Sequence, residues 1–229
     1  TWIRMPSPNS PIRKILSWCM EKQMLRRLKY VDTILTTSGK ISDESTSTGF
    51  REYLQAHGRE AKVIENRPES DKLDQKSTRE GWCVGYMGRV REVESFQFLL
   101  EAVLLMEPKQ RPILRIAGDG VAFDSVSKLL QTAKKNHDVQ VEITGSFDTE
   151  EFPKMIQEVD VMYAMYSPSR GNILQGAIPV KMFDAAAHGV PSVVNSGCLM
   201  GEIAEREQIG QSVEWMNSAQ LSESLFKLR

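Results

Sequence analysis

The chain has 229 residues, 41% hydrophobic and 26% charged, with a formal net charge of -1. This length allows one large or two small domains, and the composition excludes a disordered chain. The near-zero net charge gives no global attraction to nucleic acid or to a membrane surface. Cys19, Cys83 and Cys198 are dispersed, form no CxxC pair and are odd in number, and His57, His137 and His188 are equally scattered. Neither a structural metal nor a disulfide framework is expected, and a reducing, cytoplasmic setting is. No apolar run approaches the roughly 20 residues that span a bilayer, and no secretory leader is visible. The opening at Thr1 rather than Met is expected of part of a longer protein.

Residues 11–30 read as a basic amphipathic helix. Seven Lys or Arg fall within residues 1–30 against one acid, Glu21, and Ile12, Ile15, Leu16 and Cys19 share one face. Such a helix either lies on anionic lipid or packs against neighbouring protein. Residues 32–38 read as a strand, 41–57 as an irregular helix broken near Gly49, and 61–66 as a short strand. Residues 69–80 are almost devoid of apolar side chains. They are the linker signal, placing one unit at 1–66, a linker at 67–80 and a second unit at 81–229.

The second unit alternates strand and helix. Strands are expected at 81–88, 112–117, 139–144, 160–166 and after Pro191, with helices at 93–106 and 123–135 between the first three. A further helix capped by Asp148 or Thr149 follows the third strand. Residues 177–194, Ala-Ile-Pro-Val-Lys-Met-Phe-Asp-Ala-Ala-Ala-His-Gly-Val-Pro-Ser-Val-Val, supply the next helix and strand, with Pro179 in the first turn and Gly189 past the end. Val213, Trp215 and a terminal helix at 219–228 complete the unit. The alternation predicts an α/β fold: a Rossmann-like parallel sheet with helices on both faces.

In such sheets ligands sit beyond the carboxyl ends of the strands. That rule selects Gly88 and Arg89, then Gly118, Asp119 and Gly120, then Ser146 and Phe147, and the loop 167–179 before the Pro179 helix. The helix N-terminus is a natural anion site. Lys181 and Asp184 stand three residues apart, as a ligand-holding pair or as a surface ion pair, which spacing alone favours.

The stretch IPVKMFDAAAHGVPSVV resembles the lPxKlfEymAxGxPvv signature of GT-B-fold glycosyltransferases of the retaining group 1 type, with Asp184 where that family usually has Glu. Residues 30–215 follow the same pattern, from the strand at 32–38 through VGYMGRV, IAGDG, ITGSF and the run at 159–167. The resemblance implies the C-terminal, donor-binding half of a GT-B fold, preceded by the tail of the N-terminal, acceptor-side domain. It implies a nucleotide diphosphate sugar as donor, a glycan or lipid-linked acceptor, no metal or other cofactor and no nucleic acid. It leaves peripheral contact with the inner face of a membrane to the basic helix at 11–30.

By the same resemblance Arg89 holds the donor diphosphate, a task suited to a guanidinium fork. Asp184 accepts from the ribose hydroxyls, and these two form the catalytic pair. Gly88, Gly118, Asp119, Gly120, Ser146, Phe147, Asn172, Pro179 and Lys181 line the substrate. Two positions depart from the pattern: Glu94 stands where the family commonly has Lys, and Gly176 where many members have Glu. A carboxylate beside a phosphate is unfavourable. Arg91 and Asn172 are candidate substitutes. Three readings follow: a donor-binding half, a non-catalytic glycosyltransferase-like module, or another sugar-nucleotide enzyme such as a 2-epimerase. The last needs acid and base side chains around the sugar, and the sequence offers no such constellation.

Overall fold

A computed structural model describes residues 11–68 and 80–229. The linker signal at 69–80 therefore lies almost wholly outside the described residues.

The first block opens with α1 (Pro11–Arg27), which continues as a short 3-10 turn over Leu28–Tyr30. Its inner side carries Met20, Met24 and Leu25, all half-buried. The shared apolar face of Ile12, Ile15, Leu16 and Cys19 points outward, with Ile12 75% exposed. The strands are β1 (Leu35–Thr36) and β2 (Lys62–Val63), paired parallel, and they are much shorter than the runs at 32–38 and 61–66. Between them only α2 (Phe50–Ala56) is helical. The expected helix over 41–57 is corrected: residues 41–49 are turns and bends. Three of residues 42–48 are Ser and four are Asp, Glu or Thr, and their side chains compete for backbone hydrogen bonds, as where Ser42 N–H donates to Ser45 Oγ. Glu52 then caps α2, accepting from Gly49 N–H at 2.7 Å and from Lys40 N–H at 3.0 Å.

The second block is a six-stranded parallel sheet. In chain order it runs β3 (Cys83–Met87), α3 (Glu94–Leu104), β4 (Ile113–Ala117), α4 (Phe123–His137), β5 (Val141–Thr144), α5 (Phe152–Ile156), β6 (Val161–Ala164), α6 (Val180–Ala187), β7 (Ser192–Asn195), α7 (Leu199–Arg206), β8 (Gly210–Val213) and α8 (Ser218–Leu228). The helix α7 and strand β8 were not expected from the sequence. Strand order is β5-β4-β3-β6-β7-β8, so the direction of winding reverses between β3 and β6. That reversal opens a crevice at the carboxyl ends of these two strands.

Every residue of β3, β6 and β7 is buried, because helices cover both faces. On one face Val84, Tyr86, Leu114, Ile116 and Tyr163 pack against α3, α4 and α8 through Phe96, Leu99, Val103, Leu130 and Leu225. On the other, Cys83, Met87, Met162 and Ala164 meet α5, α6 and α7 through Ile156, Ala185, Met182, Leu199 and Ile203. The two-residue alternation along β3 thus sends apolar side chains to two different cores. Truncating one of these fully buried side chains to Ala costs about 3–5 kcal/mol.

The first block docks on the α6–α7 side. Ile41 packs on the core formed by α6 and α7. Glu202 of α7 accepts from Thr46 Oγ1 at 2.9 Å and from Ser47 N–H at 2.8 Å. Arg67 makes a bidentate pair with Glu207 at 2.7 and 2.8 Å, and its guanidinium lies 4.3 Å from the Phe183 ring centroid.

Candidate functional site

The loops after β3 and β4 are locked to each other. Gly88 N–H donates to Ala117 O at 2.9 Å, Val90 N–H to Asp119 O at 2.6 Å, and Ala122 N–H to Val90 O at 3.2 Å. Gly118 has φ +138°, and a Cβ there would stand 1.9 Å from Gly88 O. The glycines of this loop therefore answer first to backbone packed on backbone, and Gly120 is pressed in the same way against Val90 O. The interlock presents Arg89 at the rim, where its Nη1 lies 3.5 Å from Asp119 Oδ1 in an exposed ion pair. Such a pair is weak, so the guanidinium is available to an anion.

Across the crevice, the chain leaving β6 is held at three consecutive residues. Ser95 Oγ donates to Met165 O at 2.9 Å. Asn195, 3% exposed, brackets Tyr166, its Nδ2 donating to Tyr166 O at 2.9 Å and its Oδ1 accepting from Tyr166 N–H at 2.8 Å. Glu92 Oε1 accepts from Ser167 N–H at 2.9 Å. Sequence reasoning missed all three. Each is a polar residue beside an apolar run, and nothing in the sequence shows the backbone it would meet.

The loop so anchored ends in α6. Pro179 is the N-cap rather than the first helical residue, with φ −73° and ψ 126°, so the helix begins at Val180. Asn172 turns the loop through its carbonyl, which accepts from Gln175 N–H at 3.2 Å and Ala177 N–H at 3.0 Å. Its side-chain Oδ1 is buried without a partner among the described residues. Gly176 has φ +87°, and a Cβ there would fall 2.5 Å from Gly49 Cα and 2.6 Å from Thr48 O. The absence of a side chain at 176 is thus a condition of docking the first block.

Asp184 is half-buried on the second turn of α6. Burial pushes its carboxyl above the ordinary carboxylate value, and the charge of His188 draws it back only in part. The ion pair with Lys181 that spacing favoured is not formed. The Lys181 ammonium turns the other way, buried 3.4 Å from the Tyr86 ring centroid, and 3.6 Å from where a Cβ on Gly88 would stand. This contact joins the first turn of α6 to the turn carrying Arg89.

Ser146 and Phe147 follow the edge strand β5, about 10 Å in strand spacing from the crevice. Ser146 is exposed, whereas Phe147 is half-buried and packs against Phe152 with ring centroids 6.5 Å apart. Phe152 in turn meets His188 edge-on at 5.7 Å. A row of rings therefore leads from the β5 loop to α6. Glu94 is exposed at the start of α3, where its charge suits the helix N-terminus. Among the described residues no cluster of His, Cys, Asp or Glu has metal-ligand geometry, and no helix is long and apolar enough to cross a membrane.

The family model described as glycosyl transferases group 1 matches residues 82–228. The chain belongs to this family. Solved structures carry the likeness further, and they show the GT-B glycosyltransferase architecture. A Staphylococcus aureus TarM structure in complex with fondaparinux, α-GlcNAc-glycerol and UDP matches with TM-score 0.67 and 15% identity, over 91% of this chain and 39% of that one. The pneumococcal O-GlcNAc transferase GtfA, with UDP and GlcNAc, matches with TM-score 0.59 and 14% identity, over 90% and 39%. Anabaena Alr3699/HepE, with UDP and glucose, gives TM-score 0.58 and 14% identity, over 89% and 56%. This group 1 glycosyl transferase chain thus spans between about two fifths and just over half of the length of these structures. No curated protein matches it.

Proposed function

We propose that this chain is the donor-binding half of a glycosyltransferase that moves a sugar from a nucleotide diphosphate sugar to an acceptor hydroxyl. The supporting observation is the meeting of two anion-seeking elements at the strand-order reversal. The Gly88–Arg89 turn touches the first turn of α6 through Lys181. The N-terminal end of that turn and the Arg89 guanidinium can then face one diphosphate.

The chemistry follows from that placement. As the bond from the anomeric carbon to the diphosphate oxygen lengthens, negative charge grows on the leaving diphosphate. Arg89 and the α6 amides stabilise that charge more than the ground state, which lowers the barrier. Asp184, at the next turn, accepts from the ribose hydroxyls, and the rings from Phe147 to His188 flank the base. Protein groups alone neutralise the diphosphate in this reading, and transfer proceeds with retention at the anomeric carbon. The acceptor is a glycan or a lipid-linked glycan in polysaccharide or glycoconjugate synthesis at the cytoplasmic side of a membrane.

Thermal unfolding with millimolar UDP, GDP, ADP and their sugars tests the proposal. A ligand that binds only the native state stabilises by about 2.7 kcal/mol at a hundredfold excess over its Kd. The expected result is a shift with one base, unaffected by EDTA and lost in Arg89→Ala and Asp184→Ala. A cooperatively folded chain that no nucleotide shifts would favour the second reading, a non-catalytic module. One observation supports that reading: Gly176 has no room for a side chain beside Thr48 and Gly49.

A further inference from the structure

The family resemblance places Lys181 among the substrate contacts, but its ammonium lies against Tyr86. It is buried, 3.4 Å from the Tyr86 ring centroid and 5.6 Å from that of Tyr166. Tyr86 does two things at once. Its ring lies under the Lys181 cation, and its hydroxyl donates to Arg89 O at 2.7 Å. The ring also meets Phe96 edge-on, with centroids 4.8 Å apart. A continuous chain of contacts therefore runs from the first turn of α6 through the ammonium and the phenol to the main chain of Arg89.

We propose that Lys181 is a positioning residue, not a phosphate ligand: its ammonium, held over Tyr86, fixes the Gly88–Arg89 turn against the N-terminus of α6. The proposal rests on the donor-binding reading for its ligand, a nucleoside diphosphate, and on the contacts alone for its mechanics. A cation over an aromatic face is strongest where water is excluded, as it is around Nζ here. Gly88 lies directly beside the ammonium: a Cβ there would stand at ordinary contact distance, 3.6 Å, from Lys181 Cε and Nζ. Arg89 itself is exposed, and among the described residues its side chain is tied only to exposed Asp119. Its direction is therefore set by the main-chain turn, which the interlock with the β4 loop holds on one side and the bond from Tyr86 to Arg89 O holds on the other.

The test uses the full chain with UDP, GDP and ADP as probes in titration calorimetry, on wild type, Lys181→Met, Arg89→Ala and the double variant. Lys181→Met keeps the length of the side chain and its contact with Tyr86 while removing the charge, and thermal unfolding of the variant confirms that it folds before it is titrated. Each single variant is expected to lose roughly tenfold or more in affinity. The double variant is expected to lose no more than Arg89→Ala alone, because a turn with no guanidinium has nothing left to aim. Losses that multiply would overturn the proposal, since they mark two independent phosphate contacts.

A second measurement needs no nucleotide. Hydrogen exchange in the unliganded chain is expected to speed up roughly tenfold at the amides of residues 88–90 in Lys181→Met and in Tyr86→Leu. Tyr86→Phe, which keeps the ring under the cation and loses only the bond to Arg89 O, is expected to fall between. Unchanged exchange at 88–90 in Lys181→Met would overturn the positioning role whatever happens to affinity. If wild type binds none of the probes, the donor-binding reading fails, and exchange alone decides whether Lys181 holds the turn.

Discussion

The two blocks of this chain are made from the same kinds of residue and end in very different states. In the second block β3 through β8 form one sheet, and its helices close two cores over it. In the first, two strands of two residues each form a separate sheet, and Leu54 is its sole buried apolar side chain among the described residues. Ile12, Ile15, Leu16, Trp18, Tyr30, Val31, Leu35 and Ile64 are all exposed there. A two-stranded pair offers no face wide enough to cover such side chains, whereas six strands do. Apolar pattern becomes apolar burial only where enough partner elements exist. The joint between the blocks is correspondingly polar, built on Glu202, Glu207 and Arg67 beside the apolar contact of Ile41.

The sharpest break in the comparison comes from the interlock at the sheet. Gly118→Ala forces a Cβ into Gly88 O at φ +138°. It is expected to cost about 3 kcal/mol or more in urea unfolding, and to take Arg89 out of register with α6. Gly176→Ala strikes the joint instead, pushing a Cβ against Gly49. A loss of about 2 kcal/mol is expected, with faster hydrogen exchange in α2 while β3 to β7 stay protected. Equal loss of protection in both blocks would show that they unfold as one unit. Glu202→Ala, which removes one acceptor shared by Thr46 and Ser47, is expected to cost about 1 kcal/mol and to loosen the same segment.

Acid should separate the blocks as well. Burial alone would raise the Glu202 carboxyl, but hydrogen bonds from Ser47 and Thr46 outweigh it and hold it below its ordinary value of 4.5. Glu207 is held low by Arg67, and Glu52 by Gly49, Lys40 and Arg51 against its own burial. A depressed carboxylate contributes stability above the unfolded value and loses it as pH falls through the native one. The joint is therefore expected to open below about pH 4.5, read as exchange in α2. Asp184 has the opposite sign. Its carboxyl is raised by burial, so its ionisation weighs against the fold at neutral pH and is relieved by acid. Asp184→Asn is accordingly expected to raise Tm slightly at pH 7, with the gain vanishing below the ordinary aspartate value of 3.8, while nucleotide binding is lost.

Much of the second block was legible from residue pattern. Buried strands ending in glycine, helices of 11 and 15 residues between them, and the Pro179–Gly189 helix all read from local chemistry, within a few residues of where they lie. The rule that ligands gather at strand ends then selected Gly88 and Arg89 and the loop before α6, whereas Lys181 and Asp184 came from the helix and from the family resemblance. Helix α7 escaped because Cys198, Leu199, Met200 and Gly201 give no polar N-cap to mark its start. The first block was over-read, since two of its apolar runs could not extend without neighbours to pair with.

The sequence by itself determined the alternation of strand and helix, hence the parallel sheet and the edge at which its strands end, because period and capping are local properties of the chain. Only the tertiary structure decided what each site residue faces. It turned Lys181 away from Asp184 and onto Tyr86, made Gly118 and Gly176 points of backbone contact, and set Ser95, Asn195 and Glu92 to hold the chain leaving β6. Those roles depend on segments brought together from distant parts of the chain, such as Thr48 with Gly176 and Ser95 with Met165. No local spacing records which backbone a side chain will meet.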